Sequence, residues 1–376
     1  MDQKAFSAAI ATFSAKFCNE LVKDRSVVSS PLSAEFVLAL LTLGSTNEVH
    51  TELLTSLGIP DDDSIRSSFS AVSSKIKSIK SVTLNVANKV YLKDGPYELN
   101  ENLKQDAIEV FDSDFQKLNF SNGAAAADII NKWVESKTNN RIQDLLSADS
   151  IDTLTRLVIV NALYFKGTWA QQFDPSATRP QAFHVDEEKT IDVPMMHKEA
   201  HYKYGVSEEL NAQLLQLDYI GEEASMVIVL PNEISGLDGI LQKLAAGHDL
   251  IHDISQMVKT KVNILIPKFK IETEIDLFEL LPKLGINAIF NPCNTGLSKL
   301  LNTGGALYVS TAVQKAFIEV NEEGAEAAAA TCKVKILKRK PLPTFPFHAD
   351  RPFLYTLLSA DAVPVFIGLY RGDADV

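Results

Sequence analysis

The sequence predicts an α+β fold. Amphipathic helical patterns lie mostly in the first 150 residues, and short continuous apolar runs lie mostly after them. Helices and strands that are segregated along the chain in this way favour α+β over a repeating βαβ fold. The 376 residues would suffice for two or three domains, but no internal repeat or change of composition marks a linker, so one large domain also fits.

The first part of the chain is predicted to be mainly helical. Apolar residues recur at intervals of three and four over residues 6–21, which indicates an opening amphipathic helix. A second helix is expected over residues 36–43, ending near Gly44. Residues 82–92 alternate well enough for a strand, and residues 129–134 return to a helical pattern.

Continuous apolar runs dominate the later part of the chain. Such runs are typical of strands that are covered on both faces. The predicted strands include residues 157–160, 226–230, 262–266, 354–358 and 365–367.

Composition excludes several classes of protein. Hydrophobic residues make up 46% and charged residues 22%, as in soluble proteins with a large core. The formal charge of −12 argues against nucleic-acid binding, and no apolar run is long enough to span a membrane. The first thirty residues lack the apolar core of a signal peptide. We therefore expect a cytoplasmic protein on the sequence as given, or a secreted one if a leader has been removed.

No catalytic or metal-binding motif is found. Cys18, Cys293 and Cys332 are too far apart for a zinc or dithiol motif. The best metal candidate is the pair His248 and His252, which is more typical of surface residues. Phosphate-loop, dinucleotide-binding, nucleophile-elbow and zinc-protease motifs are missing. We expect no metal, no cofactor and no enzyme activity.

One segment has an unusual composition. Small side chains occupy every second position at Ala325, Ala327, Ala329 and Thr331. A segment of this kind can enter a packed sheet as an extra strand, because its inward face carries nothing bulky. Alanine and glutamate also favour helices, so the composition alone fits an alanine-rich helix or an exposed loop equally well.

Residues 322–331 resemble the reactive-loop hinge of the serpins. Further segments resemble the family in the same order along nearly the whole chain, namely 30–33, 131–134, 161–169, 193–196, 267–270 and 350–353. The resemblance implies a single domain over residues 1–376, with three β-sheets, about nine helices and an exposed reactive-centre loop at about 322–345.

The resemblance also implies a function. In the serpins the loop offers a bond to a protease, cleavage forms an acyl-enzyme, and the loop then inserts into the main sheet. The implied partner is therefore a protease held in a covalent acyl complex, and we expect a monomer. The implied hinge residues are Glu322, Gly324, Ala325, Ala327, Ala328, Ala329, Ala330 and Thr331.

A polar latch under the main sheet is implied at Ser30, Ser33 and Asn161. The family usually has a histidine in this latch, and the matching position here is Gln314. Glutamine keeps a donor and an acceptor but cannot titrate near neutral pH. Trp169 resembles the tryptophan at the point where the loop enters the sheet, although core packing alone would also explain a buried tryptophan.

The usual loop length of the family, counted from Glu322, predicts that the protease cuts between Lys338 and Arg339. Arg339 is the nearest alternative for the residue before the cut. A basic residue fits trypsin-like serine proteases. Leu337 fits the main apolar pocket of papain-like cysteine proteases, and both classes pass through an acyl or thioacyl intermediate.

Two alternatives to an inhibitor remain open. A non-inhibitory serpin would act as a carrier, storage protein or chaperone, and such members tend to have bulky or charged residues in the hinge. The lysines after the hinge would also suit polyanion binding or nuclear import. Lys75, Lys77 and Lys80 lie near the helix that binds heparin in some serpins, but three lysines are weak grounds for a heparin-like partner.

The same alternation of side chains raises a difficulty for insertion. If Ala325 to Thr331 place small residues inward, Lys333 and Lys335 point inward as well. An unpaired buried ammonium group is costly, unless it reaches water at the end of the sheet. Insertion that stops early would make the protein a substrate instead of an inhibitor.

Overall fold

The structure is a computed structural model that describes residues 1–293, 295–302, 307–323 and 343–373. Glu322 is the hinge residue that lies inside these ranges. The other predicted hinge residues and the predicted reactive bond lie outside them: Gly324, Ala325, Ala327, Ala328, Ala329, Ala330, Thr331, Leu337, Lys338 and Arg339.

Nine α-helices occur in the described ranges, in agreement with the number implied by the resemblance. They are α1 (Gln3–Asn19), α2 (Pro31–Leu43), α3 (Asn47–Leu57), α4 (Asp62–Ser78), α5 (Glu101–Glu109), α6 (Gly123–Lys137), α7 (Leu237–Ala245), α8 (Leu250–Ser255) and α9 (Leu277–Leu280).

Fourteen strands accompany these helices in the described part of the chain. They are β1 (Val27–Ser29), β2 (Val82–Lys93), β3 (Asp114–Leu118), β4 (Leu157–Gly167), β5 (Arg179–His184), β6 (Thr190–Ser207), β7 (Ala212–Asp218), β8 (Ala224–Pro231), β9 (Val258–Pro267), β10 (Phe269–Asp276), β11 (Val309–Val320), β12 (Phe345–His348), β13 (Phe353–Ser359) and β14 (Pro364–Tyr370).

The first sheet has five strands in the order β10-β11-β4-β2-β3. Its two central strands, β4 and β11, run parallel, while their outer neighbours β2 and β10 run antiparallel to them. We call the boundary between β4 and β11 the seam. Parallel neighbours leave room for an antiparallel strand between them, because such a strand would pair correctly with both.

The second sheet has nine strands in the order β1-β14-β13-β8-β7-β6-β9-β12, with β5 paired to β6. Strand β6 pairs with β5 and β9 over residues 190–204 and with β7 over residues 203–207. The three sheets implied by the resemblance are therefore hydrogen-bonded as two units, because one long strand belongs to two of them.

Both faces of the five-stranded sheet are covered. On one face α6 packs Ala126, Ile130 and Val134 against Val158 and Val160 of β4. The other face belongs to the main core, which includes α2. All 13 residues of α2 are buried, as expected for a helix that is apolar around its whole circumference. This arrangement places the start of α2 directly below the seam.

Candidate functional site: the seam and the root of the hinge

The start of α2 is fixed by its first residues. Ser30 is the N-cap, and its hydroxyl accepts a hydrogen bond from the Ser33 amide at 3.2 Å. Pro31 follows at the first helical position, where its missing N–H costs no hydrogen bond. The Ser30 hydroxyl also donates to the Val365 carbonyl at 2.6 Å. The helix start is thereby attached to strand β14 of the second sheet.

Three amide side chains lie in one row across the five-stranded sheet. Asn88 of β2 is opposite Asn161 of β4, and Asn161 is opposite Gln314 of β11. Residues that oppose each other in neighbouring strands point to the same face. The row faces the main core, and all three residues are buried. It therefore lies beside the N-terminus of α2.

Hydrogen bonds join this row to the helix start. Gln314 Nε2 donates to Asn161 Oδ1 at 2.6 Å and to the Ser30 carbonyl at 2.8 Å, and Gln314 Oε1 accepts from the Ser30 amide at 2.9 Å. Asn161 Nδ2 donates to Ser33 Oγ at 2.6 Å and to Asn88 Oδ1. Ser33 Oγ donates to Asn88 Oδ1 at 2.9 Å. We call these five residues the polar cluster.

The structure thus brings together Ser30, Ser33, Asn161 and Gln314, the four residues predicted to form a latch. The Gln314–Asn161 hydrogen bond crosses the seam. Sequence reasoning missed Asn88, which joins the cluster from β2. Asn88 is buried in β2, and a buried asparagine needs polar partners, but nothing in the sequence of this strand, which also carries Asn85, marks Asn88 as the buried asparagine.

Trp169 lies at the root of the hinge, residues 321–323. Its indole Nε1 donates to the Asn321 carbonyl at 2.9 Å, and its amide donates to the Glu323 carbonyl at 3.2 Å. The Phe173 amide donates to the Glu322 carbonyl at 2.8 Å. Trp169 is buried and stacks on Tyr219 with ring centroids 4.4 Å apart. The backbone that leads into the hinge is therefore bound by two main-chain amides and by the Trp169 indole.

The Glu322 side chain provides a second attachment. Its carboxylate forms an ion pair with Lys268 at 3.1 Å and accepts from the Thr178 hydroxyl at 2.8 Å. Burial alone would raise the pKa of Glu322, but hydrogen bonds from its own backbone amide and Thr178, together with Lys268, bring this pKa below the ordinary value. The carboxylate is thus charged and bound at neutral pH.

The seam is unpaired at the end that lies next to the hinge root. Registered pairing between β4 and β11 stops at the pair Phe165–Ile318, whereas the strands continue to Gly167 and Val320. Trp169 follows β4 by two residues. An additional strand would therefore enter the sheet most easily at this end.

The other candidate sites have structural explanations. His248 bonds to Asp253 at 2.7 Å and to Glu209 at 3.2 Å, while His252 is exposed. In the ranges that the structure describes, no group of three or more side chains is placed to hold a metal ion. No helix there is long and apolar enough to cross a bilayer.

The lysines near α4 are partly neutralised. Lys75 forms an ion pair with Asp361, and Lys77 forms one with Asp112, both at 2.8 Å. Two of the three lysines that would suit a heparin-like partner are therefore paired with carboxylates.

The family follows from a comparison with known families. The model of the family described as "Serpin (serine protease inhibitor)" matches residues 8–371. The chain belongs to the serpin family. The serpin resemblance of the sequence and the α+β serpin fold are thereby confirmed. The expectation that the protein is a protease inhibitor and not an enzyme is also confirmed.

Relatives cover nearly the whole chain of this serpin. Antitrypsin of Bombyx mori is 44% identical over 366 residues, which cover 95% of this chain and 92% of that protein. Antichymotrypsin-2 of Bombyx mori is 44% identical over 363 residues, which cover 96% of each. A solved structure of Serpin48, described as a highly specific serpin in the insect Tenebrio molitor, has a TM-score of 0.87, 32% identity and coverage of 99% of each chain.

Proposed function

We propose that this serpin inhibits endopeptidases that cleave after basic residues, and that it traps them by inserting its cleaved loop into the seam. The observation that carries the proposal is the Gln314–Asn161 hydrogen bond, which joins the two parallel strands at the centre of the five-stranded sheet. The hinge root follows directly after β11, beside the unpaired end of the seam.

The direction of the chain suits insertion. A segment that leaves β11 at Val320 and turns back runs antiparallel to β11, and therefore antiparallel to β4 as well. Insertion replaces one parallel ladder with two antiparallel ladders. Antiparallel pairing is slightly more stable per residue than parallel pairing.

The free energy that loop insertion would release is large compared with the usual free energy of unfolding of a protein. About a dozen inserted residues would add roughly a dozen net backbone hydrogen bonds at about 1 kcal/mol each, which is on the order of 10 kcal/mol. Such an amount would suffice to distort a protease that is attached to the loop. The seam must open first, so the native protein holds this energy behind a barrier.

The polar cluster fits the role of a latch on that barrier. An inserted strand separates β4 from β11 and breaks the Gln314–Asn161 hydrogen bond. Gln314 and Asn161 are fully buried, so their polar groups have no water to replace the lost partner until the sheet has opened. The latch role would account for the five buried polar side chains that meet at this seam.

The sequence of the hinge favours an inhibitor over a carrier, storage protein or chaperone. Ala325, Ala327, Ala329 and Thr331 are small, so they can enter a packed sheet without displacing its core. A non-inhibitory serpin has no such requirement.

Lys338 identifies the target class within this proposal. The Bombyx mori relatives are named for trypsin in one case and chymotrypsin in the other, so their names do not select one specificity. Lys338 before the cut suits a pocket with a buried carboxylate. Leu337 before it suits papain-like cysteine proteases, which we propose as a second target class.

The trapping reaction needs no catalytic residue from the serpin. The hydroxyl or thiolate of the protease attacks the Lys338 carbonyl carbon, the bond to Arg339 breaks, and the new amine of Arg339 leaves with one proton. The product is a one-to-one covalent complex between the protease and a monomeric serpin.

The decisive experiment combines three proteases with two matched variants. The serpin is incubated with trypsin, chymotrypsin and papain, denaturant-resistant complexes are separated, and mass spectrometry identifies the released fragment. We expect a fragment that begins at Arg339. Lys338→Ala should abolish the trypsin complex and affect the papain complex less, and Leu337→Asp should show the reverse pattern.

Other outcomes would contradict parts of the proposal. A fragment that begins at Lys338 would place Leu337 before the cut and favour chymotrypsin-like targets. Cleavage by all three enzymes without any covalent complex would remove the inhibitory function.

The compartment in which this serpin acts remains a proposal. We propose that this serpin acts in the cytoplasm. Asn119, in the sequon Asn119-Phe120-Ser121, is exposed in the turn between β3 and α6. A glycan on Asn119 of the native protein would instead place it in the secretory route.

A further inference from the structure

A cavity of about 560 Å³ lies at one end of the second sheet. Its wall is formed by the ends of β6, β7 and β13, the starts of β8 and β9, and residues 169–173, which follow β4. Small-molecule sites in proteins usually measure about 300–1,000 Å³. The cavity therefore has the size of a site for a small organic ligand.

A row of polar side chains crosses three strands in the wall of this cavity. Lys259 of β9 is opposite Lys203 of β6, and Lys203 is opposite Gln216 of β7. Residues that oppose each other in neighbouring strands point to the same face. All three line the cavity. The two lysines are therefore neighbours on one wall.

The charge of these two lysines is not neutralised locally. Within the described residues neither Lys203 nor Lys259 forms an ion pair, whereas the next lysine on the same face of β9, Lys261, is paired with Glu199. Like charges that oppose each other in a sheet are destabilising. The whole chain carries a formal charge of −12, so an uncompensated pair of cations is unusual for it. An anion bound between the two lysines would relieve their repulsion.

Two carboxylates also line the cavity, but neither of them serves the lysines. Asp218 Oδ1 accepts a hydrogen bond from Gln216 Nε2 at 2.6 Å, and Glu222 is exposed in the turn between β7 and β8. Both residues lie on the side of the cavity that is formed by the end of β7 and the turn after it. The cavity therefore has a cationic side, at the start of β9, that is open to an anionic group.

The rest of the wall contains aromatic and thioether groups. Trp169, Phe173, Tyr202 and Met257 all line the cavity and are buried. Aromatic rings and a methionine sulfur make favourable contacts with an aromatic ligand. The Tyr202 hydroxyl has no hydrogen-bond partner in the part of the chain that the structure describes, although buried hydroxyls usually have one. The wall thus combines aromatic surface with an unsatisfied polar group.

We infer that this cavity is a binding site for a small aromatic carboxylate. The carboxylate lies between Lys203 and Lys259, which donate charge-assisted hydrogen bonds to it, and the aromatic ring lies against the apolar wall. An ammonium group beside the ring adds a cation–π attraction. A mostly apolar wall with a few polar groups that orient the ligand is typical of small-molecule sites. Binding here uses no residue of the reactive loop, so the site is a function separate from protease inhibition.

The test compares three probes by isothermal titration calorimetry on the full chain. Naphthylacetate carries both the ring and the carboxylate, naphthylacetamide carries the same ring without the charge, and acetate carries the charge without the ring. We expect naphthylacetate to bind one-to-one. The amide should bind at least tenfold more weakly, and acetate should show no measurable binding.

The test variant is Lys203→Gln/Lys259→Gln, which keeps unbranched polar side chains and removes both charges. Its matched control is Lys137→Gln/Lys283→Gln, because these two lysines are exposed, do not line the cavity and change the net charge by the same amount. We expect the test variant to raise the dissociation constant for naphthylacetate at least tenfold. The control should leave it unchanged, and the dissociation constant for the amide should be the same in all three proteins.

Each result decides for or against the site. Tight binding of naphthylacetate that weakens only in the test variant would support it. Failure of the wild type to bind naphthylacetate, or equal affinity of the wild type and the test variant, would overturn it. Equal weakening in both variants would mean an effect of net charge alone, and equal affinity for acid and amide would mean that the cavity does not select a carboxylate. The inference is wrong in both cases, and none of these measurements depends on protease trapping.

Discussion

At the scale of single residues, the seam is held by amide and hydroxyl groups that do not titrate. Gln314 makes three hydrogen bonds through two atoms, and both of its partners, Ser30 and Asn161, belong to other elements. Sequence motifs could predict these residues because they lie in segments that resemble the family. Asn88 could not be predicted in this way, because its partners become adjacent only when β2 pairs with β4.

The first prediction concerns the glutamine at this position. A neutral histidine has one donor and one acceptor, so Gln314→His loses at least one hydrogen bond of the cluster. Burial lowers the pKa of a histidine, so its contribution to stability is present above about pH 6.5 and is lost as the pH falls through the lowered value. We expect the melting temperature of Gln314→His, relative to the wild type, to fall between pH 7.5 and pH 5.

The control for this prediction is Gln105→His, because Gln105 lies on the exposed side of α5. It should follow the wild type at both pH values. A Gln314→His variant with the same pH profile as the wild type would show that the cluster tolerates an ionisable group without cost.

The second prediction concerns a buried carboxyl group in α2. Glu35 is fully buried, its Oε2 has no hydrogen-bond partner in the described part of the chain, and burial raises the pKa of this carboxyl well above its ordinary value. The unfolded chain ionises near pH 4.3, so the stability contributed by the neutral carboxyl is lost as the pH rises from there through the raised value. Glu35→Gln removes this loss.

Urea unfolding at pH 4.5 and pH 8 would measure the effect. We expect Glu35→Gln to gain about 1–3 kcal/mol over the wild type on going from pH 4.5 to pH 8, which is the usual range for an unsatisfied buried polar group. Exposed Glu188 provides the control as Glu188→Gln, which should show no such gain. An equal pH dependence in all three proteins would mean that Glu35 finds a partner or water.

At the scale of elements, four of the strands that sequence reasoning found are buried along nearly their whole length. Strands β4, β8, β13 and β14 read as continuous apolar runs, and they lie inside the core as predicted. Strand β10 was missed although it alternates strictly between buried and exposed residues, which is a period-two signal. Strand β6 was missed because its 18 residues are largely polar or exposed and its partners change along its length.

The third prediction concerns the hinge as an inserting element. Ala327→Arg places a long charged side chain on the predicted inward face of the inserted strand, against the buried row of β4 and β11. Gly324→Pro removes a backbone donor and restricts the hinge backbone. We expect both variants to be cleaved by trypsin at the wild-type rate but to yield less than a tenth of the covalent complex.

The matched control is Ala182→Arg, since Ala182 is exposed on β5, away from the seam. It should give the complex yield of the wild type. Wild-type yield from Ala327→Arg would count against insertion as the trapping mechanism, and would leave the family assignment unaffected.

At the scale of the whole molecule, the second sheet is predicted to stay unchanged during insertion, whereas the five-stranded sheet is predicted to open at the seam. The second sheet is closed by antiparallel pairing from β1 to β9, and α2 attaches to it through Ser30 and Val365. The five-stranded sheet contains the parallel seam, with the hinge root at its unpaired end. The sequence could predict the fold class and the latch residues, but not the parallel seam, because the order and direction of strands depend on pairings between distant segments.

The last prediction concerns the stability released by insertion. Limited proteolysis near Lys338 should allow the loop to become a central strand and should raise the melting temperature. A gain on the order of 10 kcal/mol, with an unfolding entropy of about 2.1 cal/mol/K per residue, corresponds to roughly 10–15 °C for 376 residues.

If Lys333 and Lys335 enter the sheet unpaired, they reduce this rise in melting temperature. Lys333→Met/Lys335→Met keeps an unbranched side chain that is one atom shorter and removes both charges, so the cleaved variant should melt above the cleaved wild type, whereas the uncleaved proteins should melt together. Equal melting of the cleaved forms would mean that both ammonium groups reach water at the end of the sheet, and no rise on cleavage in either protein would contradict insertion itself.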